Sequence, residues 1–509
     1  MTAVQNQRLA GRVLRDATHG HSVEKETPDG VELELAEVST PFDYLFESLE
    51  NDPAAHLPAD TPAKVAEVRA NLEALGKKMV EPAPAFGQMD APDGNSTIPA
   101  VYTYFGQFID HDITARTDRK NEVGHVIDAD LHPTSPATVK ALVRNERVPA
   151  LDLDSVYGDG PTFPGGPETD AKDIYDGIKL KVGRVALVGK EGAEPVIRGV
   201  RIPLQADLDR DLPRGLEGNP SKANIADGRN DENLIVAQLH VAFLRFHNAT
   251  VDWIRQHEPY YTDRAVFERA RELVCWHYQW LVVHDYLAMV ALPGVVDQVL
   301  LQGNKLYEKR NDEVWMPLEF SVAAFRFGHT MVRGAYDFNR NFGSPGRVLP
   351  SAPFSFLFRF TGKGGFGGQT DVLPFNWVIE WDRLVEKDPR TPDHFARKID
   401  TRLADALGKM ANESQGQSET IIIEILQHLA VRNLLRGYQL SLPTGQAVAN
   451  LMGVAPLTAD ELKEGNADDL NTLLTDSGFL ERTPLWYYVL KEAEVQAGGN
   501  SLGEVGSRI

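Results

Sequence analysis

At 509 residues, with 42% hydrophobic and 25% charged side chains, the chain has a large globular protein's composition and no tract biased enough to stay unfolded. Its 73 acidic residues outnumber the 52 basic ones by 21, and so negative a surface repels nucleic acid and anionic lipid, which excludes both as partners. Cys275 is the only cysteine, so an intrachain disulfide, a zinc–cysteine cluster and a CxxCH attachment are all ruled out.

The N-terminal run MTAVQNQRLAGRVLRDATHGHS lacks a signal peptide's apolar core, and no later window is apolar for long enough to span a bilayer. With the lone thiol, this predicts a soluble, cytoplasmic protein. Residues 1–95, rich in Asp, Glu and Pro, read as an arm with one helix at Pro62–Val80; residues 96–509 read as the body. There, helical periodicity marks Tyr102–Thr114, Asn233–Gln256, Thr262–Val290, Leu318–Arg333, Glu419–Leu435 and Pro484–Ala497. Strand-like runs are short (Lys179–Leu187, Phe354–Phe360), and Gly158–Gly166 and Gly362–Gly368 read as loops. The expected fold is mainly α, one large helical domain with little β structure.

Four segments carry chemistry. In YFGQFIDHDIT, Gln107, Asp110 and His111 stand at i, i+3 and i+4, on one face of a helix otherwise lined by Tyr104, Phe105, Phe108 and Ile109. Burying three polar groups there is costly without a task, and histidine is the side chain that exchanges protons near neutral pH. In GRNDENLIVAQLHVAFLRFHN, Arg229 and Glu232 precede a strongly apolar helix; the bland reading is an exposed helix-start pair. FSVAAFRFGHTMVRGAYDFNR sets His329 on an apolar segment with Arg326 and Arg333 a turn to either side, where a satisfied core histidine is as good a reading as a ligand. In VRNLLRGYQLSLPTGQ, Asn433 and Arg436 share a helix face. Separately, Asp112 follows His111, and ALDLDSVYGDG sets Asp152 and Asp154 two apart beside a glycine-rich turn, a spacing that suits a hard cation, although acidic turns of this kind are usually solvated loops.

In order and spacing these segments resemble the animal-type haem peroxidases of the peroxidase–cyclooxygenase superfamily, over roughly residues 98–500. The resemblance implies haem b, with His111 as distal acid/base, Arg229 as its cationic partner and Gln107 beside them near the halide site. It implies His329 as the axial iron ligand, Asn433 holding that imidazole, and Arg333 and Arg436 as further haem-binding residues. Asp110 and Glu232 match carboxylates that form ester bonds to haem methyl groups. Asn233 stands where some relatives have a methionine that makes a sulfonium link, so attachment here is by ester only. A structural Ca²⁺ is implied on Asp112, Asp152, Asp154 and the carbonyls of Val148 and Ala150; relatives have threonine and serine at positions 148 and 154. Relatives also continue with more helix beyond the GSRI at which this sequence stops.

The implied activity is reduction of hydrogen peroxide through an iron-oxo intermediate, coupled to oxidation of a small donor such as a halide, thiocyanate or a phenol. A fatty-acid dioxygenase on the same scaffold is the alternative, although Arg326 occupies the position of the cyclooxygenase radical tyrosine. A degenerate haem-binding or partner-binding scaffold is a third reading, opposed by the intact set of site residues. Gly362, Gly364 and Gly367 spell GxGxxG, but Pro374 and no helix follow, so a dinucleotide site is rejected. His240 and His247 read as packing or hydrogen-bonding residues, and Trp486, Tyr487 and Tyr488 as partly core.

Overall fold

Thr61 and Pro62 open the first long helix, α1 (Pro62–Lys78): the threonine hydroxyl accepts the Lys64 N–H, and proline in the first turn forfeits no hydrogen bond. The computed structural model describes residues 19–27, 30–37, 40–115, 131–166, 168–186, 208–310, 313–343, 349–366, 370–410 and 420–509. Most of the N-terminal run read above, with residues 187, 367, 368 and 419 of the elements and loops read above, lies outside the described residues.

The longer helices of the body are α2 (Val101–Ile113), α3 (Leu234–His257), α4 (Asp263–Leu281), α5 (Leu429–Gln439) and α6 (Leu485–Ala497). α2 is buried on almost every side, as a helix with apolar residues all round must be. Its Phe108 stacks on Phe243 of α3 at 4.9 Å and meets Tyr278 of α4 edge-on at 6.2 Å. α1 buries Val65, Val68, Leu72 and Leu75 on one stripe and packs on α5. The two backbones approach so closely that a Cβ on Gly76 would lie 2.8 Å from Val431, which is why glycine stands there. Residues 40–95 of the arm thus join the same core as the body. Trp486, Tyr487 and Tyr488 of α6 are fully in that core.

β structure is confined to short pieces. His19–Thr27 and Gly30–Glu37 form an antiparallel hairpin. Thr40–Asp43 lies between Arg144–Asn145, antiparallel, and Met316–Pro317, parallel. Asn95–Pro99 pairs with Phe395–Arg397 and leads directly into α2. The result is a single, mainly α domain with little β structure. Among the described residues no helix is long and apolar enough to cross a membrane.

Several expected elements differ. Leu318–Arg333 is not one α-helix: a π turn at Glu319–Ala323 gives way to a 3-10 turn at Ala324–His329, so the face presented by His329 is set by a change of helical pitch. The expected Glu419–Leu435 helix breaks at His428, whose ring nitrogen caps α5 through the Val431 N–H. Thr262–Val290 contains a π turn at Val282–Tyr286. Among the described residues 179–186 only Lys179–Leu180 is strand, because Gly183 bridges instead to Asp211. Phe354–Phe358 is a 3-10 turn that follows Pro353, and its neighbour Phe360 packs edge-on against Trp377.

Candidate active site

Helix α2 carries His111 in its last turn, and the 3-10 turn Gly228–Asp231 brings Arg229 and Asn230 to it. His111 is buried, and its Nδ1 lies 2.9 Å from Asn230 Oδ1. An amide oxygen only accepts, so with Asn230 Oδ1 turned to it Nδ1 carries the proton and Nε2 is the basic nitrogen; the opposite turn of the amide would exchange the two. Burial, reinforced by Arg229, lowers the His111 pKa and keeps the ring neutral. Arg229 is not an exposed helix-start residue. Its Nη2 donates to the carbonyls of His111 (2.8 Å) and Thr114 (2.7 Å), at the negative end of α2, and to Asp227 Oδ2 (2.7 Å). Its Nη1 has no hydrogen bond among the described residues, and 22% of the side chain is exposed. Burial opposes ionisation of Asp227, but Arg229 and Arg147 overcome it and hold that carboxyl far below its usual range.

Gln107 joins the same group: its Nε2 donates to Glu232 Oε2 (3.3 Å), and its Oε1 accepts from Asn233 Nδ2 (2.9 Å). Asn233 also caps α3 by accepting the Val236 N–H. Asp110 accepts from Thr114 Oγ1 at 3.1 Å through Oδ1. Asp110 and Glu232 are both partly exposed, and each keeps one carboxylate oxygen without a hydrogen bond among the described residues.

The segment holding His329 packs against α2. His329 is partly exposed, and burial together with Arg326 and Arg432 pushes its imidazole down to about 3, so it is a neutral ring, as a metal ligand must be. Its Nδ1 lies 2.8 Å from Asn433 Nδ2, and Asn433 Oδ1 accepts from Arg326 Nη1 at 3.2 Å. An axial imidazole bound through Nε2 needs an acceptor at Nδ1. A half-turn of the Asn433 amide supplies one only by giving up the bond from Arg326 Nη1, which would then face the amide NH₂. His329 Nε2 makes no hydrogen bond among the described residues. A neutral imidazole whose Nε2 makes no hydrogen bond among the described residues fits an axial iron ligand, and the free oxygens of Asp110 and Glu232 fit carboxylates that could be esterified.

Arg333 and Arg436 are the other two residues expected to bind haem. Arg333 is wholly buried: its Nε donates to Ala335 O (3.0 Å) and Nη1 to Asn95 Oδ1 (2.9 Å) and Phe395 O (2.6 Å). It pins the strand before α2, and its Nη2 is buried with no hydrogen-bond partner among the described residues. Arg436 stands one turn beyond Asn433 and is partly exposed.

The residues expected to bind calcium do come together, but not as a cage. Burial, with Asp152 and Asp154 nearby, raises Asp112 to about 8. Asp112 accepts the N–H groups of Leu153 (3.1 Å) and Ser155 (3.4 Å). Asp154 Oδ1 accepts from Arg271 Nη2 at 2.8 Å, and the Val148 carbonyl accepts the Ala150 N–H at 2.7 Å. Among the described residues no group of three or more His, Cys, Asp or Glu is arranged to hold a metal ion.

Sequence reasoning missed Asp227, Asn230 and Arg271. Asp227 had a faint signal, an Asp two residues before Arg229 and able to cap its turn; the other two had none without the fold.

The animal haem peroxidase family profile matches residues 198–356. Peroxidasin homolog pxn-2 of Caenorhabditis elegans is 25% identical over 363 residues, 69% of this chain and 25% of that protein. The curated relatives are much longer, and matched segments span between 9% and 25% of their length. Peroxidase A of Dictyostelium discoideum shares the fold, with a TM-score of 0.55 at 15% identity over 96% of this chain and 89% of that one. So does the fatty acid alpha-dioxygenase of Oryza sativa, with a TM-score of 0.52 at 13% identity over 96% of this chain and 74% of that one. Profile, relatives and fold thus agree in one respect: residues 198–356 match the animal haem peroxidase family, and the whole chain shares the fold of a peroxidase and of a dioxygenase.

Proposed function

We propose that this protein is a haem peroxidase that reduces hydrogen peroxide and oxidises a small donor such as a halide, thiocyanate or a phenol. Haem b held at His329 would supply the redox iron that takes up peroxide's oxidising equivalents and passes them to the donor. The observation that carries the reading is the bond from His111 Nδ1 to Asn230 Oδ1, which leaves a basic nitrogen at Nε2. That nitrogen accepts a proton from one peroxide oxygen and returns it to the other as water departs. Arg229, charged at every working pH, offers Nη1 to the negative charge that grows as the O–O bond lengthens. The free oxygens of Asp110 and Glu232 are the sites proposed for ester attachment. For the expected calcium, the convergence of three carboxylates supports a cation, and Arg271 is one that the chain itself supplies.

With haem bound, His111→Ala should slow peroxide cleavage by about 10²–10⁴-fold while the optical spectrum of the haem persists. An unchanged rate removes the assignment. Fatty-acid oxygenation is the second reading: the fold is shared with the rice dioxygenase, and Arg326 argues only against a cyclooxygenase-type radical tyrosine at that position, since other fatty-acid dioxygenases place their tyrosine elsewhere. Oxygen uptake with linoleate in the absence of peroxide would establish that second reading instead.

A further inference from the structure

Asn230 lies between two imidazoles. Its Oδ1 is 2.9 Å from His111 Nδ1, and its Nδ2 is 2.9 Å from Nδ1 of His240 on α3. Asn230 and His240 are 0% exposed, and His111 is 4% exposed. The second ring nitrogen of His240, Nε2, is buried and has no hydrogen-bond partner among the described residues. Phe108 of α2 meets the His240 ring edge-on at 6.5 Å, and the Asp227 carboxylate is the charged group that acts on it. His240 touches none of the groups assigned to peroxide or haem except through Asn230. A buried histidine with one of its two nitrogens unpartnered is a costly way to fill a core position that a leucine would fill.

The three side chains form a hydrogen-bond chain with a direction. An amide NH₂ only donates and an amide oxygen only accepts. Because Nδ2 donates to His240 Nδ1, that nitrogen is bare, and the His240 proton sits on Nε2. Asn230 Oδ1 then faces His111 and requires a proton on His111 Nδ1, which leaves His111 Nε2 bare. A half-turn of the amide reverses every assignment. It puts the His240 proton on Nδ1 and the His111 proton on Nε2, where the ring can no longer take a proton from peroxide. The two arrangements share their heavy-atom positions, and the amide couples the rings: a proton held at Nε2 of His240 requires the His111 proton at Nδ1. Burial pushes His240 down to about 4, which keeps the ring neutral and able to act as this acceptor.

We propose that His240 is a positioning residue for proton transfer: through Asn230 it holds His111 in the tautomer whose bare nitrogen is Nε2. The consequence for catalysis rests on the peroxidase reading, but the tautomers do not, and they can be measured without turnover. Histidine-selective ¹⁵N spectra of the full chain, assigned with His111→Ala and His240→Leu, should show His111 protonated at Nδ1 and His240 at Nε2. Asn230→Asp offers an acceptor to both rings at almost constant volume; it should move the His240 proton to Nδ1 and leave His111 as it was. His240→Leu should spread His111 over both tautomers and slow peroxide cleavage by roughly 10–100-fold, the usual cost of losing a residue that orients a reactive imidazole. His240→Gln, whose side-chain oxygen can accept from Asn230 Nδ2, should restore both the tautomer and the rate. The proposal is overturned if native His111 carries its proton at Nε2, or if neither His240→Leu nor Asn230→Asp changes any tautomer. Expected tautomers without peroxide turnover would remove the peroxidase reading and leave the relay standing; turnover with insensitive tautomers would remove the relay alone.

Discussion

Asp227 holds both arginines of the distal side. Its oxygens accept from Nε and Nη2 of Arg229 and, at 2.6 Å, from Nη2 of Arg147. Asp227→Asn keeps the shape and removes the charge, which leaves two poorly solvated guanidiniums facing a neutral amide. Breaking a buried pair in this way costs about 3–5 kcal/mol. The variant should therefore unfold at lower denaturant concentration, and with Arg229 loosened from α2 its peroxide cleavage should also slow. A wild-type unfolding midpoint would show that Asp227 is not an anchor. At this scale the linear pattern reveals groups that share a helix turn. Gln107, Asp110 and His111 were legible for that reason, as were Arg229 with Glu232 and Asn433 with Arg436. Arg147 lies 80 residues from Asp227, and no periodicity reports such a partner.

Between elements, the joint of α2, the loop at residues 148–158 and α4 gathers acidic charge around one cation. Arg271 of α4 donates to Asp154 and lies over the Tyr157 ring at 5.1 Å. Asp112, at the end of α2, ties the loop to that helix through the Leu153 and Ser155 N–H groups. If Arg271 is the counter-charge, chelator should leave the melting temperature of the native protein unchanged. Arg271→Met, which keeps most of the stem but no charge, should melt several degrees lower, and added calcium should recover part of the loss. A native protein that melts lower in chelator would return calcium to this joint. The sequence showed the acidic spacing but not Arg271, because α4 reaches the loop only in the folded chain. Helix breaks were hidden for a related reason. Apolar periodicity runs unbroken through Glu319–His329 and His428, while the π turn, the 3-10 turn and the His428 cap are settled by contacts made elsewhere.

Across the whole molecule, Glu319 links the N-terminal segment to the side that carries His329. It is fully buried at the start of the π turn, and its carboxylate accepts the N–H groups of Leu45 (2.8 Å) and Phe46 (3.4 Å). Beside it, Thr40–Asp43 pairs with Met316–Pro317, and Tyr44 Oη donates to Leu440 O at 2.7 Å. Burial raises the Glu319 pKa to about 7, and the two N–H groups only partly offset it. A carboxyl with a raised pKa binds its proton more tightly in the folded than in the unfolded chain. Its contribution is therefore complete below the ordinary carboxylate value of about 4.3 and is lost as pH rises through 7. His240 and His247, lowered to about 4 by burial, act in the opposite sense, losing stability as pH falls below their ordinary value. The test is accordingly a difference: Glu319→Gln cannot ionise, so its melting temperature relative to native protein should rise steadily between pH 5 and 8 and level off above that. A difference that stays flat across this range would mean that Glu319 is already ionised in the fold, and that the joint between the N-terminal segment and the His329 side is held by a charge rather than by a proton.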